Sequence, residues 1–125
     1  MVKVKGAEGY ATKNFKWSEL QCRCCGFVNV EQEALEKLQA FREIIGVPFS
    51  PLSASRCPRH NAKVGGAPKS QHIAREDEPS KAFDVPLVTD KDTIIIAAMK
   101  VGFNGIGISY KTFVHMDNRK RRARW

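Results

Sequence analysis

The residues best suited to chemistry in this chain are its 3 histidines, His60, His72 and His115, and the carboxylates that accompany two of them. In Phe113-Val114-His115-Met116-Asp117, strand alternation places Phe113, His115 and Asp117 on one face and Val114 and Met116 on the other. An imidazole and a carboxylate therefore point the same way. Asp84 sits inside the apolar run at residues 82–86, where burying a carboxylate is expensive unless a cation or several donors meet it. A metal accounts for both features. Two imidazoles and one carboxylate, with a position left for water, form a recurring catalytic zinc set, because zinc accepts mixed nitrogen and oxygen ligands and acidifies water. Read without a metal, His72 is a surface residue, His115 a hydrogen-bonded strand histidine and Asp84 a cap.

The 4 cysteines, Cys22, Cys24, Cys25 and Cys57, pose a separate question. No apolar export signal stands at Met1-Val-Lys-Val-Lys-Gly, so we expect synthesis in a reducing cytoplasm, where free thiols are the default. Cys22-x-x-Cys25 with Cys57-x-x-His60 also matches the spacing of a Cys-Cys-Cys-His structural zinc site. A bridge from Cys57 to Cys22 or Cys25, formed after release, is the third possibility. Sequence alone does not choose among them.

These residues need elements to position them. Asn29 with Gln32 opens a capping box, and Leu35, Leu38, Phe41 and Ile45 follow helical spacing until Gly46 stops the helix. A second helix is expected from Thr89 or Asp90, through an Ile-rich core-facing stretch, to Gly102. Short strand-prone runs lie at residues 82–85, 107–109 and 113–117, with a Pro-containing extended edge at 49–52. Residues 58–79, rich in Gly, Pro, Lys and His, read as one long functional loop. Two helices against a small, mainly antiparallel sheet make an α+β domain over residues 14–125, preceded by an irregular arm at 1–13.

Composition limits the alternatives. At 125 residues, 42% hydrophobic and 27% charged, the chain suits one globular domain and excludes disorder, collagen and coiled coil. Its longest uncharged apolar run is far too short to span a bilayer, and we expect a monomer. The net charge of +8 is concentrated in residues 119–125, which carry five bases and no acid. Such a tail either attracts a polyanion, such as nucleic acid, anionic lipid or an acidic wall polymer, or is a solvated, frayed end.

Ser70-Gln71-His72, Ser80-Lys81-Ala82-Phe83-Asp84-Val85 and Phe113-Val114-His115-Met116-Asp117 together resemble the SxHxxGxAxD and HxD signatures of zinc D-Ala-D-Ala carboxypeptidase-like peptidoglycan peptidases, which have the hedgehog/DD-peptidase fold. The likeness extends to Asn14-Phe-Lys-Trp-Ser-Glu-Leu, Cys22 to Gly26, Ser53-Ala-Ser-Arg56-Cys-Pro-Arg-His-Asn61, Gly65-Gly66-Ala67 and Gly105-Ile106-Gly107, and so covers most of residues 14–125. The resemblance implies a zinc ion (Zn2+) held by His72, Asp84 and His115. It implies that Arg56 holds a substrate carboxylate or carbonyl, with Ser70 and Gln71 beside it.

Two departures matter. His72 precedes Asp84 by twelve residues, more than the signature allows, with Ser80 in place of its Gly; the insertion brings Arg75-Glu76-Asp77-Glu78. Many relatives carry an acid or histidine two or three residues before the last ligand as general base, where this chain has Phe113 and Thr112. Asp117 is the first candidate to replace it and a carboxylate of residues 76–78 the second, although Asp117 serves equally well to orient His115.

The expectation is a zinc peptidase cutting stem peptides or crosslinks of bacterial peptidoglycan, with a role in wall lysis as a phage endolysin-type enzyme. It would be made in the cytoplasm and act on the wall. The alternatives are a basic nucleic-acid-binding module with a Cys/His zinc, which leaves Asp84 and His115 unexplained, and a wall-binding relative without turnover.

Overall fold

The computed structural model describes residues 8–125. Most of the arm expected at 1–13 lies outside them; residues 9 and 11–13 are bends about the bridge between Tyr10 and Lys16. Four helices follow, α1 (Trp17–Leu20), α2 (Gln32–Ile45), α3 (Pro58–Lys63) and α4 (Lys91–Lys100), with strands β1 (Ala82–Pro86), β2 (Gly105–Gly107), β3 (Phe113–Asp117) and β4 (Ala123–Arg124). The sheet order is β1-β3-β2-β4, antiparallel except for the β2–β4 pair. The architecture is α+β, as the sequence implies.

The sheet has two unlike faces because its strands alternate. Phe83 and Val85 of β1, Ile106 of β2 and Val114 and Met116 of β3 point into the core. There they meet Leu35, Leu38 and Phe41 of α2 and Ile94, Ala97 and Ala98 of α4. The opposite face carries Asp84, Gly105, Gly107, His115 and Asp117, and the register sets Asp84 beside His115, His115 beside Gly107 and Asp117 beside Gly105. One face stabilises the domain and the other gathers polar groups.

Several local expectations are corrected. The residue before α2 is Glu31, not Asn29; Asn29 is fully buried and donates from its side-chain amide to the Arg75 carbonyl at 2.7 Å. Asp90 caps α4 as expected, but within its Ile run only Ile94 is fully buried and Ile96 is half-exposed. The strand expected at 107–109 occupies Gly105–Gly107, and residues 49–52 form no strand, although the Leu52 N–H donates to the Asp84 carbonyl. Residues 58–79 are not one loop: they begin with α3, whose first residue is Pro58 and whose N-cap is Cys57. A proline there forfeits no hydrogen bond and is already set for helix.

The basic tail is not frayed. Ala123 and Arg124 pair with β2 as β4, Arg119 forms an ion pair with Asp117 at 2.7 Å, and Trp125 lies against Gly107. The two strand glycines follow from this arrangement. A Cβ at Gly105 would collide with the Asp117 carboxylate and the Arg119 guanidinium, and one at Gly107 with the rings of Trp125 and Tyr110. Gly105→Ala is therefore expected to lower stability by about 1–3 kcal/mol, the usual cost of overpacking, as read by chemical denaturation. An unchanged midpoint would mean that the Asp117–Arg119 pair can shift freely.

Candidate metal centre and cleft

His72, Asp84 and His115 reach one point from three segments. Asp84 and His115 are cross-strand partners on β1 and β3. His72 comes from the loop before β1, held by two backbone bonds to Arg56, whose N–H donates to the His72 carbonyl at 2.8 Å and whose carbonyl accepts from Ala74 at 2.8 Å. The Ser70 hydroxyl accepts from the His72 N–H at 3.1 Å, closing the turn. One ligating atom from each of His72, Asp84 and His115 lies within 4.8 Å of the others. Asp77 is not part of this group, and residues 75–78 are exposed.

The enlarged spacing between His72 and Asp84 is absorbed outward. Arg75 and Glu78 exchange two backbone hydrogen bonds, so the inserted residues leave the fold and return at one place. There Ser80 is buried, with its hydroxyl 2.9 Å from that of Ser55 and donating to the Asn29 carbonyl at 3.1 Å. The substitution of Ser for the signature's Gly thus supplies a buried hydrogen bond.

The outer partners determine the imidazole tautomers. His72 Nδ1 lies 2.8 Å from the Ala54 carbonyl, which can only accept, so Nδ1 carries the proton and Nε2 a lone pair. His115 Nε2 lies 2.7 Å from the Asp117 carboxylate, which leaves its lone pair on Nδ1. Both lone pairs face Asp84 Oδ1 at 3.1 Å. Three acceptors pointing at one another require a cation between them or a proton on one ring. The donor set is the nitrogen and oxygen chemistry that zinc accepts, and each histidine has the hydrogen-bonded outer partner that orients metal ligands. The residues present fit the metal.

Electrostatics agrees with the geometry. Burial pushes the His72 pKa down and keeps that imidazole neutral. Burial opposes charge on His115, but the carboxylates of Asp117 and Asp84 outweigh it and push its pKa up. Burial also disfavours ionised Asp84, yet its pairing with the imidazoles of His115 and His72, one of which must carry a further proton when no cation lies between them, holds it well below the usual carboxylate range.

Around this centre lies a cleft of about 560 Å³ lined by Arg56, Ser70, Gln71, His72, Asp84 and His115, and by Lys69, Tyr110, Arg119 and Trp125 among others. Arg56 is half-buried, with one terminal nitrogen 3.5 Å from the Ser70 hydroxyl and its Nε–H without a partner among the described residues. Burial lowers its pKa while Asp84 opposes that shift, which places the guanidinium within reach of the centre's charge. Asp117 is completely buried, and its oxygens are taken by His115 at 2.7 Å and by Arg119 at 2.8 and 2.7 Å.

The aromatic rim escaped sequence reasoning. Trp125 packs 5.2 Å from the His115 ring, donates from Nε1 to the Tyr110 hydroxyl at 2.9 Å and lies under the Arg119 guanidinium. Tyr110 stacks on Phe113 at 4.4 Å. The available signal was the alternation Gly105-x-Gly107, which marks a strand face approached closely by other groups.

The cysteines converge as well. The four sulfurs lie within 4.8 Å of one another, and Cys24, not His60, completes the group with Cys22, Cys25 and Cys57. His60 contributes its backbone N–H, donated to the Cys57 sulfur at 3.3 Å.

No helix among the described residues is long and apolar enough to cross a membrane. A search of curated proteins finds no match. The sequence profile described as peptidase M15 matches residues 13–117, a stretch that contains Arg56, His72, Asp84, His115 and Asp117. With a match over most of its length and a zinc-type donor set at the signature positions, the chain belongs to the peptidase M15 family of zinc D-Ala-D-Ala carboxypeptidase-like enzymes.

Proposed function

We propose that the protein is a zinc peptidase that hydrolyses peptide bonds in bacterial peptidoglycan, in stem peptides or crosslinks, and serves in wall lysis as an endolysin-type enzyme. The observation that carries this reading is the convergence of His72 Nε2, Asp84 Oδ1 and His115 Nδ1 at the cleft that also holds Arg56. Zinc bound by these three residues would supply Lewis acidity, polarising a scissile carbonyl and lowering the pKa of a water.

The chain's own residues do the rest. Ala54 and Asp117 keep the two imidazoles in the ligating tautomers. Arg56 presents a planar fork with an unused Nε–H, suited to a substrate carboxylate or to the carbonyl oxygen as negative charge develops on it. Ser70 and Gln71 form the adjoining wall and meet the peptide backbone, and Lys69 and Arg119 add positive charge that favours an acidic stem peptide. Asp117 is a positioning residue, because an enclosed carboxylate already engaged by His115 and Arg119 has no access to a water in the cleft. Since the tail lines this cleft, the proposed catalytic unit is the whole of residues 14–125.

The cleft also supports a second reading. Asp84 is the single carboxylate among its described lining residues, so a protein base is missing, as in a wall-binding relative without turnover. Mass spectrometry of muropeptides incubated with the protein separates the two. Peptide fragments should appear, vanish with a chelator and return with added zinc. Retention on the wall without fragments would select the binding relative, and undiminished hydrolysis by metal-free protein would overturn the mechanism.

Arg56→Lys should retain its zinc while losing roughly 1.5–3 kcal/mol of transition-state stabilisation, about ten- to a hundredfold in kcat/KM, because lysine keeps the charge but not the fork. Wild-type kinetics in that variant would make Arg56 structural.

A further inference from the structure

We propose that Cys22, Cys24, Cys25 and Cys57 form a second, structural zinc site, a tetrathiolate that ties the turn at residues 22–27 to the start of α3 and so fixes Arg56 at the cleft. This site is independent of the His72, Asp84 and His115 centre.

The sulfur positions carry it. Four sulfurs about 2.3 Å from a zinc at tetrahedral angles stand about 3.8 Å apart. Cys22 and Cys24 are separated by 3.7 Å, Cys24 and Cys57 by 3.4 Å, and all four lie within 4.8 Å of one another. Four protein ligands close the coordination shell and leave no position for water, which is the mark of a structural site and the opposite of the three-ligand centre in the cleft.

The backbone is arranged to hold the sulfurs there. Cys22, Cys24 and Cys25 share one turn, closed by the Cys22 N–H on the Phe27 carbonyl at 2.7 Å and the Gly26 N–H on the Cys22 carbonyl at 2.8 Å. Gly26 follows the last of them at φ 77°, a conformation that a side chain would disfavour. Cys57 arrives from far along the chain because the Ser55 N–H donates to the Leu20 carbonyl at 3.0 Å, fastening the two segments just outside the cluster.

Polar donors also meet the sulfurs. Backbone N–H groups of Cys57 and His60 donate to the sulfurs of Cys22 and Cys57 at 3.4 and 3.3 Å, and Arg59 reaches the Cys24 sulfur. These donors help hold the Cys22 thiol down at about 7, whereas the hydrogen bond with the Cys57 sulfur pushes the Cys24 thiol up to about 11 despite the guanidinium. On binding, each thiol yields its proton to solvent as its sulfur–zinc bond forms, with no change of oxidation state. Because Arg56 immediately precedes Cys57, the metal would clamp the backbone from which the guanidinium enters the cleft.

The test is made on purified full-length protein. Elemental analysis should find two zinc ions per chain, falling to one in Cys57→Ser and, separately, to one in Asp84→Ala. After exchange of zinc for cobalt, intense sulfur-to-cobalt charge-transfer absorption should appear in the parent and persist in Asp84→Ala, where the cleft site has lost a ligand. That spectrum needs no cysteine variant to fold, and it stays readable if the proposed cleft chemistry fails. One zinc per chain with four freely titrating thiols, a mass deficit showing disulfides, or cobalt spectra without sulfur charge transfer would each overturn the site.

Discussion

Asp84→Ala protein is expected to carry one zinc ion fewer per chain than its parent and to release no fragments from muropeptides, whereas Asp77→Ala should keep both metal and turnover. The two aspartates follow His72 at twelve and five residues, and spacing does not separate them. Position in the fold does. Asp84 sits mid-strand on β1, paired with His115 across the ladder, with its Oδ1 held 3.1 Å from each imidazole. A ligand needs placement to within fractions of an ångström, which a paired strand supplies and an exposed loop does not. Asp77 lies in the excursion that Arg75 and Glu78 close off and is exposed. Removing Asp84 also leaves two imidazole lone pairs facing each other with no carboxylate to offset a cation. Elemental analysis of both variants decides the matter: metal lost from Asp77→Ala and kept in Asp84→Ala would overturn the assignment of the centre.

Deletion of residues 119–125 should lower stability by about 3 kcal/mol or more, because it removes at once the β4 pairing, the packing of Trp125 on Gly107 and the guanidinium paired with the buried Asp117 carboxylate. For a chain of this size that corresponds to a fall of roughly 10 °C in Tm. Turnover of a small soluble stem peptide should fall as well. The deletion strips β4 from β2, uncovers the His115 ring where Trp125 packs on it, and frees the Asp117 carboxylate that orients His115. Replacing only Lys120, Arg121 and Arg122 by serine is the matched control. These three are exposed, so their loss should spare Tm and soluble-peptide turnover and reduce only salt-sensitive adhesion to anionic wall. A deletion variant with the parent's Tm and turnover would return the whole tail to the role of a solvated polycation.

The two results bear on different layers of one site. Asp84 is a direct ligand candidate, while the tail acts through Asp117 and Trp125 on His115. A merely structural tail would change Tm without changing the pairing of turnover with metal content. If the tail positions His115, its deletion should also weaken zinc retention, by about ten- to a hundredfold where the oriented partner of a ligand is disturbed.

The two-faced sheet was legible in the residues themselves, whereas the set His72, Asp84 and His115 came from the resemblance to the family signature and not from spacing. Alternation in Phe113-Val114-His115-Met116-Asp117 is a local property of an extended chain, so it separated His115 and Asp117 from Val114 and Met116 before any partner was known. Helical spacing from Leu35 to Phe41 and the αL glycine at Gly46 likewise placed α2, because both depend on neighbours within a turn or two. What the sequence left open were contacts between segments distant along the chain. Asn29 resembled a helix cap until the fold buried it beneath the Arg75 carbonyl, and Cys24 resembled a spacer until the turn brought its sulfur to Cys57. Asp117 was equally a base or an orienting partner by spacing, and only the fold brings the Arg119 guanidinium onto its oxygens, the contact on which the proposed orienting role rests. The tail read as loose charge because its strand pairing needs β2 already in place and its tryptophan needs the bare face of Gly107. Local periodicity follows from covalent geometry that every segment carries with it. The enclosure of Asp117 and the closing of the cleft by Trp125 exist only once residues far apart in the chain share one surface.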